Sequence, residues 1–221
     1  MADTLKRLLH INFAFPEAQE LPDMFQAPDW SVVTMESHAQ ADPDILCDIR
    51  SLHLLEQDNW HAIYLANQLN RYERHQLPQM IKGLYNLLNE QGIVLVEIPH
   101  VKVLAEYIYK KGWGGQIQEG MKLSELVYGH EEHIRKSLPR AQIRSAFSPN
   151  ELGQLFLQAG FEDVAIRVRG LSMILRGVKK SVQQISQGGL RIDEVDVNDK
   201  MKMRDLIEKD PELPVKWQPS H

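Results

Sequence analysis

The chain has 221 residues, 25 Lys and Arg against 30 Asp and Glu, a formal charge of −5 and 43% hydrophobic residues, which suits one domain with appendages. The acidic balance excludes the basic surface that nucleic acid or an anionic membrane requires, and no apolar run approaches the ~18 residues of a membrane span. A single cysteine, Cys47, excludes an internal disulfide and a multi-cysteine metal centre, and the N-terminus lacks the apolar stretch of a signal peptide, so no metal and a cytoplasmic location are expected.

Short aliphatic runs follow one another along the first half. They fall at 8–11 (Leu-Leu-His-Ile), 32–35, 45–47, 62–65 and 93–98 (Ile-Val-Leu-Val-Glu-Ile). Such runs read as parallel strands buried on both faces. Between the last two, Met80, Ile81, Leu84, Leu87 and Leu88 recur at helical spacing, and Gly92 reads as the residue that stops that helix. Alternating strands and helices predict an α/β fold with a mostly parallel central sheet and helices on both faces.

The second half predicts a helix over 101–111 and a break at 112–115. A further helix opens at Ser148-Pro149-Asn150-Glu151, with Ser as N-cap, Pro at the first helical position and Glu three residues after the cap, and closes at Gly160. Residues 161–169 and 171–178 read as two strands joined at Gly170, a C-terminal antiparallel hairpin at a sheet edge. Residues 1–180 form the predicted domain, and 181–221 a polar C-terminal tail with a short helix near 200–209 and a place for a protein partner.

An ordered set of motifs resembles class I S-adenosylmethionine-dependent methyltransferases, in particular a group of small bacterial ones. Leu9-His10-Ile11 resembles the Leu-His-Leu before their glycine loop, and 44–52 (Asp-Ile-Leu-Cys-Asp-Ile-Arg-Ser-Leu) is similar to their Asp-Ile-Val-Cys-Asp-x-x-x-Leu. Residues 63–78, 87–92, 126–129 and 146–161 fit the later segments, so the likeness runs from about 6 to 178. It implies a Rossmann-like methyltransferase fold and a cofactor site at the carboxyl ends of the strands. The implied S-adenosylmethionine positions are Asn12, Phe13 and Ala14 after strand one, Glu36 for the ribose hydroxyls, Asp48 with Ile49 for the adenine, and Asn67 after strand four. His100, at the mouth of strand five, is the candidate general base. A small-molecule or sugar-type substrate is implied with them.

The departures fall on the chemistry. The loop after strand one reads Asn12-Phe13-Ala14-Phe15-Pro16, and the first of 13 glycines is Gly83, so no glycine cradle precedes it. The family's His-x-x-Glu-His becomes Asn67-Gln68-Leu69-Asn70-Arg71, and its Pro-Asp becomes Pro99-His100. Two readings follow: a methyltransferase with a degenerate cofactor motif and an unidentified acceptor, or an inactive relative kept as a binding or assembly module. Elsewhere, 130–133 (His-Glu-Glu-His) reads as a solvated helix face, His10 as a hydrogen-bonded core histidine, Cys47 as a structural thiol and His75 as a surface residue.

Overall fold

The computed structural model describes residues 5–12, 21–26, 28–112, 116–118, 121–129, 134–135, 142–180 and 189–193. Five strands run in parallel: β1 (Lys6–Ile11), β2 (Trp30–Glu36), β3 (Ile45–Leu46), β4 (Trp60–Ala66) and β5 (Leu88–Pro99). Helix α1 (Leu77–Leu87) lies between β4 and β5, and α2 (Val101–Lys111) follows β5. A small ribbon, β6 (Gln116–Gln118) with β7 (Met121–Lys122), and helix α3 (Leu123–Tyr128) come next. Helix α4 (Pro149–Ala159) leads into β8 (Asp163–Arg169) and β9 (Ser172–Val178), and β10 (Leu190–Asp193) completes the sheet.

The eight-stranded sheet has the order β10-β8-β9-β5-β4-β1-β2-β3. β9 runs antiparallel between β5 and β8, so the predicted hairpin is present and turns at Gly170. It is not the edge. β10 pairs in parallel with β8 and takes that place, so part of the segment read as a polar tail belongs to the sheet. Leu190-Arg-Ile-Asp alternates in burial, as an edge strand with one covered face does. The residues around 200–209 and the 130–133 motif lie outside the described residues.

The larger core joins Leu9, Ile63, Val94 and Val96 of the sheet to Leu84 of α1, Leu104 of α2 and Phe156 of α4. The opposite sheet face gathers Leu8, Ala62, Tyr64 and Leu95 under Phe25, which belongs to a short 3-10 helix (Asp23–Phe25). Helix α4 carries the predicted signals. Ser148 Oγ accepts from the Glu151 N–H at 3.3 Å, Glu151 accepts in return from the Ser148 N–H at 3.1 Å, and Gly160 closes the helix at φ 109°.

Gly92 has a different role from the one expected. Helix α1 ends at Leu87 and passes straight into β5, with Leu88 already paired to Trp60. The left-handed residue is Gln91, at φ 66°. Gly92 sits against the strand instead: a Cβ there would lie 2.8 Å from the Asn89 carbonyl and 3.0 Å from that of Trp60, at the register shift between β4 and β5. No helix of the described residues is long and apolar enough to cross a membrane.

Candidate functional site

The carboxyl ends of β1 to β4 bring the expected acids together. Glu36 ends β2 and is only 4% exposed. Its Oε1 accepts from the Ser37 N–H and hydroxyl, at 2.6 and 2.8 Å. Asp48 caps the 3-10 helix Ile49–Leu54 that follows β3, accepting from the Arg50 N–H at 2.8 Å.

Each acid stands beside an arginine of the same chain. Arg50 closes a two-pronged pair on Asp48, with Nη2 2.7 Å from Oδ2 and Nε 3.1 Å from Oδ1. This pairing holds the Arg50 guanidinium above its ordinary pKa. Arg71 comes from the 3-10 helix Leu69–Arg71 after β4, where Nε donates to the Asn67 carbonyl at 2.7 Å. Burial lowers Arg71 to about 10, while the nearby Glu36 carboxylate pulls it the other way. β1 lies between β4 and β2 in the sheet.

The remaining expected positions separate. Asn12 is buried at the end of β1; its N–H donates to the Met35 carbonyl at 3.0 Å and its Oδ1 has no hydrogen-bond partner. Phe13 and Ala14 lie outside the described residues. The Ile49 side chain packs in the larger core. Asn67 takes a left-handed conformation, φ 53°, which Asn tolerates better than most residues, and its N–H donates to the Glu97 carbonyl at 2.7 Å.

His100 is 2% exposed and is the N-cap of α2, its Nδ1 accepting from the N–H groups of Lys102 and Val103 at 3.2 and 3.4 Å. With Nδ1 accepting, the neutral ring carries its proton on Nε2, so the lone pair a general base would use is committed to the helix. His10 is buried as expected, stacked on Tyr64, but its Nε2 has no partner, which corrects the hydrogen-bonded reading. The Cys47 thiol is half-buried, donates to the Asp48 carbonyl at 3.4 Å and is pushed up by burial, as suits a structural thiol. His75 is exposed. Among the described residues no group of three or more His, Cys, Asp or Glu is placed to hold a metal.

Three groups escaped the sequence. Arg50 and Arg71 sit in the quoted motifs, yet the Arg50–Asp48 ion pair and the nearness of Arg71 to Glu36 depend on the folded chain. Glu97, on β5, is held above the ordinary carboxylate range by burial, against hydrogen bonds with Ser172 and Tyr64. A separate cavity of about 300 Å³ opens where α2 and α3 face the ends of β4 and β5.

By sequence the chain matches no protein-family model, and no curated protein is similar to it. By structure it resembles a SAM-dependent methyltransferase from Archaeoglobus fulgidus at 9% identity, covering 80% of this chain and 87% of that one, with a TM-score of 0.52. It also resembles one from Methanosarcina mazei at 12% identity, over 80% of this chain and 93% of the other, with a TM-score of 0.54.

Proposed function

This chain has the class I S-adenosylmethionine-dependent methyltransferase fold, and from that premise we propose that it is a binding protein rather than a transferase. The observation that carries the reading is the two-pronged Arg50 clamp on Asp48. A ribose donates hydroxyl hydrogens to a carboxylate, and an adenine amino group does the same. Here Asp48 is bonded by Arg50 on both oxygens, and Glu36 accepts twice from Ser37 beside the Arg71 charge. An adenine amino group would have to displace Arg50 from Asp48, and a ribose would meet a Glu36 carboxylate that already accepts twice on Oε1. A glycine cradle that would repay the displacement is missing from the sequence. The residues present therefore do not fit the cofactor, and the candidate base His100 is committed to capping α2.

A second reading has its own support. Glu36 and Asp48 keep their places at the strand ends, and the buried Asn12 Oδ1 lacks a donor. On that reading the cleft still takes S-adenosylmethionine and a small-molecule or sugar-type acceptor. A cytoplasmic setting, and a protein partner for the polar tail 181–221, rest on composition alone in either case.

Titration calorimetry of the full chain with S-adenosylmethionine and S-adenosylhomocysteine separates the two. The binding-protein reading expects no heat at millimolar ligand. Micromolar affinity that disappears in Glu36→Ala overturns it and restores the enzyme.

A further inference from the structure

The two faces of the sheet are covered unequally. Helices α1, α2 and α4 all give side chains to the larger core, on one face. The other face is roofed by Phe25, whose ring centre lies 5.1 Å from that of Trp30 and 6.2 Å from that of Tyr64, over β2 and β4. Among the described residues no helix lies over β9 and β8 on that side. A sheet in an α/β protein is ordinarily buried on both faces.

Strand register shows which residues stand on the bare strip, because directly opposed residues of neighbouring strands share a face. Leu95 of β5 opposes Arg176 of β9, which opposes Ala165 of β8. One step along, Glu97 opposes Ile174, which opposes Arg167. Ile174 and Ala165 are half-buried, while Arg167 and Arg176 bracket Ile174 and are exposed. On β10, Arg191 is paired with Asp163 at 3.0 Å. Arg167, which has Asp193 opposite it, and Arg176 have no ion-pair partner among the described residues. β8 and β9 are seven residues long, so with β5 the strip measures about 14 Å by 23 Å. Its area of roughly 300 Å² falls short of the ~800 Å² per partner of a stable interface between copies. It matches the footprint of one helix, about 10 Å across and 1.5 Å per residue long.

The chain's own sequence supplies the matching pattern. Residues 194–221 follow β10 and lie outside the described residues. At helical spacing Asp199, Met203, Leu206, Ile207 and Asp210 fall on one face, an apolar trio bracketed by acids as Ile174 is bracketed by arginines. We infer that residues 194–221 fold back over the strip, with Met203, Leu206 and Ile207 against Ile174 and Ala165, and Asp199 and Asp210 against Arg167 and Arg176. Only two strand spacings, about 10 Å, separate β10 from β9. Tethering at Asp193 gives the segment an effective concentration in roughly the millimolar range, which a separate partner would have to outcompete. Nucleoside binding in the acid cleft leaves this docking untouched, since neither Glu36 nor Asp48 takes part in it.

Hydrogen exchange read by mass spectrometry tests this on the full chain. Amides of 199–210 should exchange roughly tenfold or more slowly than in an unprotected chain. Arg167→Glu with Arg176→Glu, both on the exposed side of the sheet, should release that protection while β5 stays as protected as before. Adding Asp199→Lys and Asp210→Lys to the same variant reverses both sides of the contact and should restore it. The two lysine changes alone should abolish it, and they carry the test should the arginine variant not fold. Exchange of 199–210 at the unprotected rate in the unmodified chain overturns the inference. So does protection that survives the lysine changes, which would place the segment elsewhere, or protection that fades on dilution, which would assign the strip to a second copy.

Discussion

His10 places an imidazole inside β1, stacked on Tyr64 and only 4% exposed, and burial lowers its pKa to about 4 from the ordinary 6.5. The folded ring is therefore neutral where the unfolded one begins to protonate. Because the unfolded state binds the extra proton between these two values, stability from this group is complete above pH ~6.5 and drains away as pH falls towards 4. The loss amounts to about 3 kcal/mol, taking 1.36 kcal/mol for each pKa step. Glu97 works the other way, since a carboxyl raised by burial favours the fold at lower pH. Comparing variants isolates the histidine: His10→Phe, which keeps an aromatic ring beside Tyr64, should show a flatter fall of urea midpoint between pH 7 and 4.5 than the unmodified chain. Parallel falls would mean that His10 is not the neutral group the packing implies.

At the scale of elements, α4 and β10 meet through a notch. Gly153 lies in the middle of α4, and a Cβ there would collide with the Leu190 side chain of β10. Glycine in a helix interior costs about 1 kcal/mol relative to alanine, so in isolation Gly153→Ala would stabilise. Here the gain should vanish, because Leu190 must move. In a Leu190→Ala background the same change should stabilise by about 1 kcal/mol, measured by chemical denaturation as a double-mutant cycle. An equal gain in both backgrounds would show that β10 does not rest on α4. The signals of α4 were legible because they are local: Ser148, Pro149, Glu151 and Gly160 all act within one helix. The role of Gly92 was not, since it depends on a carbonyl of β4 that no nearby pattern announces. β10 did leave a trace, the alternation in residues 190–193, but four residues after a glycine pair make a weak strand signal.

Across the whole molecule, the central strands were readable because parallel strands buried on both faces are nearly continuous apolar runs. Their arrangement in space was not readable from periodicity, and the acid cleft is a product of that arrangement. Glu36 and Arg71 come within electrostatic reach only because β2, β1 and β4 are neighbours in the sheet. Their electrostatic proximity predicts a coupled effect on stability. Arg71→Gln alone leaves the nearly buried Glu36 facing less positive charge and should cost roughly 2–3 kcal/mol. Glu36→Gln with Arg71→Gln should recover most of that loss in urea unfolding. Additive losses would show that the two side chains do not compensate one another.

On the binding-protein reading, the same compensation governs how this cleft could be redesigned. Reopening it for a nucleoside asks for the loss of Arg71, the release of Asp48 from Arg50, and glycines in a loop that has none. The first of these steps on its own takes positive charge away from a carboxylate at 4% exposure and weakens the fold before any ligand is there to repay it. Redesigning the cleft for a nucleoside is therefore a matter of coupled substitutions rather than single ones.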